Sequence, residues 1–311
     1  MATSNLKIAS VVLRLINDKS FLLKKSMLKQ FSAFVWRRQQ RRWLYGLLSV
    51  VTALSLWLGT PQPSQAISWI ELLLRGVQIY QISNLSPRQE VQLGKQINQQ
   101  LIESGRVELV SDRQINEYIN QIGQRLAQYS DRPELPYTFQ VVKDDSINAF
   151  ATMGGFVYIH TGLIKAADNE AELASVVAHE IAHISRRHSV EQLRQRALAE
   201  GVLSAAGLEQ SRAVQIGVEL AYSRPNSRQD ELEADQSGLE MLRQAGYAPS
   251  ATIAFLEKLQ RQGGSPPAFL STHPATSDRI RALEREIDPA MANQGEGLNN
   301  QAYQAKIRSL L

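Results

Sequence analysis

His179-Glu180-Ile181-Ala182-His183 is the stretch of this sequence whose residue types and spacing can do chemistry. Residues four apart share one face of a helix, so the two imidazoles can bind one metal ion from the same side, at about 2.0 to 2.1 Å for zinc. Glu180 projects beside them, placed to take a proton from the attacking water rather than to ligate. The chain has no cysteine, which excludes thiolate ligands, disulfides, a cysteine nucleophile and a lipidated cysteine together. Any further ligand must be His, Asp or Glu. A third histidine in a Gly-containing extension would need Gly at 186 and His at 189, and the chain has Arg186 and Ser189. The alternative is a carboxylate from a second helix, and the run Ser227 to Asp235 supplies it. Glu231 and Asp235 are four apart and share a face, so Glu231 can ligate while Asp235 accepts the other ring N–H of a ligand histidine. Glu233 lies off that face and reads as a solvated charge.

The other conspicuous polar residues are less determined. His188 follows His183 by five, about 140° further round an ideal helix, so it reads as a structural residue near the helix end rather than a ligand. His160 ends a strand and reads as a scaffold histidine. Arg228 either pairs with Asp235 or the motif helix, or is simply exposed. Arg186-Arg187 reads as a solvated pair at a helix C-terminus. His273-Pro274 follows a Gly- and Pro-rich stretch, Gly263 to Pro267, and so sits on a surface loop.

The elements that must position these groups follow from periodicity and capping. Ser86-Pro87 reads as an N-cap with Pro at the first helical position, followed by Val91, Gly94, Ile97, Leu101 and Ile102 at helical spacing. A second helix runs from about Asp112, with Ile115, Ile119, Ile122 and Leu126 on one face. Pro133 and Pro136 end that pair. Tyr137 to Val142 alternates as a strand, and a short strand near Ala149, the pair Gly154-Gly155 and Phe156 to Ile159 complete a small sheet. From Thr161 onward the chain reads as helix. Asp168-Asn169-Glu170 starts the motif helix, whose buried stripe is Leu173, Val176, Val177, Ile181 and Ile184. Gln192 to Tyr222 is rich in Ala, Leu, Val and Gly, which fits either helical core or a membrane-facing or lid hairpin. No repeat of solenoid length is visible.

The charge of the chain is divided. Residues 1 to 66 hold ten Lys or Arg against one acid, Asp18, whereas the remainder carries 24 bases and 29 acids. The net +4 therefore belongs to the leader, and nucleic-acid binding loses its support. Arg37-Arg38-Gln39-Gln40-Arg41-Arg42 precedes an uncharged apolar run, Trp43 to Gly59, and Thr60 to Ala66 ends in small residues suited to cleavage after Ala66. This is a secretory signal, or else an uncleaved anchor giving membrane association. Met27 would make a more ordinary start, and Arg41-Arg42 matches a twin-arginine signal weakly. The expected organisation is a leader over 1–66 and a single exported domain over 67–311, with a tail from about 287.

Taken together, the motifs resemble the HtpX and CAAX prenyl protease family of gluzincin peptidases, and within it the BepA-like periplasmic branch and the mitochondrial OMA-type enzymes. The likeness is carried by Asn148-Ala149-Phe150-Ala151, Gly154-Gly155, Asp168 to His188, Ser227-Arg228 with Glu231 and Ala234-Asp235, and Thr272-His273-Pro274 with Arg279. It covers about Ser86 to Glu286. The resemblance implies an α+β, mostly α, zincin-like metallopeptidase domain with a small β-sheet beside the active-site helix. It further implies one Zn2+ per chain on His179, His183 and Glu231, with Glu180 as general base and acid. Asn148, Ala149 and Phe150 would form the edge strand along which a substrate peptide lies. The resemblance makes His273 a removable fourth ligand that keeps the enzyme latent; the residues alone equally allow it to cap or pack on the following helix. The implied activity is hydrolysis of misfolded or unassembled envelope polypeptides, in the bacterial periplasm or on the periplasmic side of a membrane. Two other functions fit the same residues: an exported peptide-binding chaperone with a structural or latent zinc site, and an anchored peptidase specific for one partner. No helical-repeat segment follows the Arg279 helix, so delivery of substrates by such repeats is not expected.

Overall fold

Helix starts in this chain are written by side chains that satisfy free backbone N–H groups. The computed structural model describes residues 85–201, 210–223, 226–261, 267–274 and 277–311. Helix α1, Pro87–Glu103, is entered through a capping box: Ser86 Oγ accepts from Gln89 N, and Gln89 Oε1 accepts from Ser86 N at 2.9 Å. Helix α2, Arg113–Ala127, is capped by Asp112, whose carboxylate accepts from Gln114 N and Ile115 N. Both buried faces contain the expected residues, except that Val91 is half-buried and Ile102 is exposed.

Strands β1, Thr138–Val142, β2, Ala149–Thr152, and β3, Phe156–His160, form one sheet in the order β1-β3-β2. β1 runs parallel to β3, with Val141 beside Ile159, and β2 runs antiparallel, with Ala149 beside Ile159. β2 is thus an edge strand. The β2–β3 turn uses Gly154 and Gly155 at φ of 80° and 102°, a region that side chains resist. Helix α1 packs so tightly on this turn that a Cβ at Gly94 would fall 2.1 Å from the Met153 carbonyl oxygen.

The rest is helical: α3, Thr161–Ala166; α4, Glu170–Ser185; α5, His188–Ala199; α6, Gln210–Ser223; α7, Arg228–Gln244; α8, Ser250–Arg261; α9, Ala268–Thr272; α10, Ser277–Glu286; and α11, Asn300–Lys306, before a 3-10 turn at Arg308–Leu310. α4 is the core helix. Every residue from Ala171 to Ser185 is buried, wider than the single stripe expected, because α4 packs against α2, α7, α8 and β2 at once. α5 and α6 pack on each other, and α6 lies on α1. The fold is the expected one, mostly helical with a small sheet beside the motif helix.

One expectation is corrected. The segment from about 287 is not a tail. Tyr303 and Ile307 are buried, Tyr303 Oη donates to the Ile164 carbonyl at 2.6 Å, and Gly297 O accepts from Ala171 N in the first turn of α4. The leader over 1–66, its apolar run 43–59, most of the Gly/Pro stretch before His273 and residues 202–209 lie outside the described residues. Among the described residues no helix is long and apolar enough to cross a membrane.

Candidate metal centre

α4 is entered through Asn169, whose Oδ1 accepts from Glu172 N at 3.0 Å, and it carries His179 and His183 on one face a turn apart. Their Nε2 atoms face each other at 3.0 Å. α7 crosses this face, its start fixed by a capping box between Ser227 and Asp230. The crossing is close because position 238 is glycine: a Cβ there would stand 3.2 Å from His179 N. Glu231, in the first turn of α7, thereby reaches both imidazoles, with Oε1 3.3 Å from His183 Nε2 and Oε2 3.5 Å from His179 Nε2. His273, just past α9, closes the group. Its Nδ1 lies 3.0 Å from Glu231 Oε1 and 3.2 Å from His179 Nε2, and its Nε2 lies 3.4 Å from Glu180 Oε1.

One nitrogen or oxygen from each of His179, His183, Glu231 and His273 therefore falls within 4.8 Å of the others, all buried. Glu180 Oε1 is buried without a hydrogen bond, while Glu231 Oε2 is compensated by the Arg279 guanidinium. A buried carboxylate oxygen left unbonded is costly, and three imidazoles and a carboxylate converging on one point form the donor set of a divalent cation. The residues fit a metal. Without an ion, burial pushes His183 well below its usual range, whereas at His179 the charges of Glu231 and Asp235 overcome burial and raise it to about 9, so a metal would have to displace a proton there. Glu231 lies well below the carboxylate range because the charges of His273 and His179 outweigh its burial. Glu180 is pushed up, chiefly by burial.

The surrounding shell is partly as expected. His179 Nδ1 donates to Asp235 Oδ1 at 3.1 Å, the orienting contact anticipated from spacing. Arg228 takes the exposed alternative. It is 67% exposed in the first turn of α7 and pairs with Asp278, while the partner of Asp235 is Arg279 of α10. Arg279, 1% exposed, donates through Nε and Nη2 to the two Asp235 oxygens at 2.6 and 2.7 Å. Its Nη1 lies 2.5 Å from Glu231 Oε2, off the hydrogen-bonding axis, and donates to Pro274 O at 3.1 Å. One guanidinium thus holds α7, α10 and the His273 segment together.

His188 and Glu233 are corrected. α4 ends at Ser185, so the ideal-helix angle does not apply: His188 starts α5, and its Nδ1 lies 2.8 Å from His183 Nδ1. Glu233 is half in solvent and reaches back to His188 Nε2 at 3.4 Å. His160 is a scaffold residue as expected, with Nδ1 2.8 Å from Ser146 Oγ.

Sequence reasoning missed Asn226 and Gln192. Asn226 Oδ1 accepts from Gln192 Nε2 at 2.7 Å, and its Nδ2 points into the site, 3.2 Å from His273 Nδ1. Its backbone N–H also donates to Thr272 O. No spacing signal joins these residues; only the meeting of α5, the start of α7 and the His273 segment does.

The cleft beside the metal ligands is lined by Phe150, Ala151, Thr152 and Met153 on one side and by Gly217, Leu220 and Ala221 of α6 on the other. Of the expected strand residues, Phe150 lines the cleft, and Asn148 and Ala149 directly precede it in the chain. The free space is about 40 Å³, little more than one water.

Residues 113–287 of the chain match the description Peptidase family M48. The chain belongs to this family. Its M48 relatives include the Beta-barrel assembly-enhancing protease of Escherichia coli (strain K12), 34% identical over 248 residues, which are 73% of this chain and 50% of that one. The Putative beta-barrel assembly-enhancing protease of Vibrio cholerae is 37% identical over 58% of this chain and 41% of its own length. The Mitochondrial metalloendopeptidase OMA1 of Schizosaccharomyces pombe is 33% identical over 57% and 54%. The branch of M48 anticipated from the motifs is the one these relatives occupy. The chain spans about half the length of the curated relatives it matches.

Proposed function

We propose that this chain is a zinc-dependent endopeptidase that is exported and cleaves unfolded or misassembled polypeptides. One observation carries the reading: His179, His183, Glu231 and His273 gather their ligand atoms within 4.8 Å, with the Glu180 carboxylate against the same point. His179, His183 and Glu231 would hold the ion. Zinc, when bound there, polarises a scissile carbonyl and lowers the pKa of water to about 7. Glu180 takes the proton from the attacking water and returns it to the leaving amine; burial lifts its carboxyl in the direction this task requires. The edge strand β2 receives the peptide. His160 N donates to Asn148 O, so alternation turns the backbone N–H and C=O of Ala149 and Ala151 to the edge away from β3. That edge is covered at Ile147, whose carbonyl accepts from Phe269 N of α9.

The position of His273 on the side facing Glu180, next to a narrow cleft, supports reading it as a gate that substrate or a partner displaces. The basic leader supports export with the catalytic part on the periplasmic side, and the relatives named for β-barrel assembly support a role in envelope quality control. The acidic remainder of the chain does not favour nucleic acid.

The test is casein cleavage by the zinc-loaded full chain, by Glu180→Gln and by His273→Ala. Cleavage that chelation and Glu180→Gln abolish and His273→Ala accelerates supports both the base and the gate. No cleavage by the parent or by His273→Ala, with zinc bound, would leave a peptide-holding protein instead.

A further inference from the structure

We propose that His188 is a positioning residue for the metal ligand His183, and that Glu233 completes the chain by fixing His188. The inference rests on the zinc-site reading above and concerns how that site holds its geometry.

His183 turns Nε2 toward Glu231 and His179, so as a ligand through Nε2 it carries its proton on Nδ1. The atom facing that proton is His188 Nδ1 at 2.8 Å, within good hydrogen-bonding distance and buried. Accepting there puts the proton of His188 on Nε2, which faces Glu233 Oε2 at 3.4 Å, with Asp230 Oδ1 at 4.0 Å. A single tautomer assignment therefore satisfies both rings, and the direction of donation runs from metal ligand to carboxylate. The arrangement mirrors the other ligand, where His179 Nδ1 meets Asp235 directly. His188 is the inserted link, because Glu233 on α7 does not itself reach His183.

The backbone is bent to make this contact. α4 stops at Ser185, and Arg187 adopts φ 61° and ψ 28°, the one left-handed non-glycine residue among those described. Side chains other than glycine resist that conformation, so neighbours must hold it. Arg187 Nη2 donates to Leu85 O at 2.9 Å, and its Nε lies 3.3 Å from Glu90 Oε2. Glu90 is itself buried on α1 and clasped by both Nη atoms of Arg132 at 2.9 and 3.0 Å. This bracket holds the break between α4 and α5, two residues past the end of the metal helix. Without the break His188 would lie about 140° away from His183 on a continuous helix.

The test is zinc affinity of the full chain, measured by competition with a chromophoric chelator, together with the visible absorption of the cobalt-substituted protein. His188→Phe keeps a ring but removes the acceptor. It is expected to weaken zinc binding about 10- to 100-fold and to shift the cobalt bands, while His188→Gln, which offers an amide oxygen, recovers most of the affinity. Glu233→Ala, at a half-exposed position that folding tolerates, is expected to weaken binding severalfold. A general packing role would make His188→Gln as poor as His188→Phe, and that result would overturn the proposal. So would parent-like affinity and spectra in His188→Phe and Glu233→Ala. His179→Ala is the control that separates the two readings. If it too binds zinc like the parent, the metal-site reading fails and takes this one with it. If it is impaired while the His188 and Glu233 variants are not, only the positioning role is lost.

Discussion

Replacing Arg279 by methionine tests how the site's charges are held. The side chain is 1% exposed and faces two buried carboxylates, Asp235 through two hydrogen bonds at 2.6 and 2.7 Å and Glu231 at 2.5 Å. Methionine keeps much of the length and none of the charge. Removing one partner of a buried ion pair leaves an uncompensated charge and costs about 3 to 5 kcal/mol. At roughly 2 to 4 °C per kcal/mol for a domain of this size, the melting temperature of the metal-free protein is expected to fall on the order of 10 °C. Zinc should narrow the loss, since the ion neutralises Glu231 and leaves Asp235 alone unpaired. The assay is thermal and urea unfolding with and without zinc, repeated in an Asp235→Asn background. There Arg279→Met should cost clearly less, because the pair is already broken. A loss below about 1 kcal/mol, or the same loss in both backgrounds, would refute the view that Arg279 acts by pairing with Asp235.

Two further outcomes follow from the scaffold. Burial lowers the His160 pKa, partly opposed by Asp144, so the unfolded chain takes up a proton near pH 6.5 that the folded chain resists. His160's contribution is therefore full above about pH 6.5 and is lost as pH falls toward the folded value; His160→Gln should flatten that slope in urea titrations stepped from about pH 7 to 5, and an unchanged slope would count against it. Gly94→Ala forces a Cβ to 2.1 Å from Met153 O and should cost about 1 to 3 kcal/mol in the same titration, whereas a neutral effect would mean that α1 does not press on the β2–β3 turn.

What the sequence made legible and what it hid divide along physical lines. Caps are local, so Ser86, Asp112 and Asn169 mark their helix starts from side-chain chemistry alone. The i, i+4 pairs are local as well, and both His179 with His183 and Glu231 with Asp235 present one face as their spacing required. What stayed open or was misread begins where a contact depends on how separate elements close. Arg228 and Arg279 are equally plausible partners for Asp235 by type, and the choice is made by α10 packing on α7. The closing segment from 287 looks polar along its length, yet Tyr303 and Ile307 are its buried anchors and Gly297 supplies an acceptor to the start of α4.

His188 is the most instructive case, because the rule applied to it was sound and its premise failed. The angle of about 140° holds only while the helix continues. The break at Arg187 carries no local signal, since arginine is a poor residue for a left-handed turn and the usual markers are glycine or asparagine. It is stabilised instead by Glu90 of α1 and by the Leu85 carbonyl just before that helix, about a hundred positions earlier in the chain. The placement of His188 beside His183 thus depends on a bracket from α1, and no reading confined to the neighbourhood of His179 to His183 could have found it.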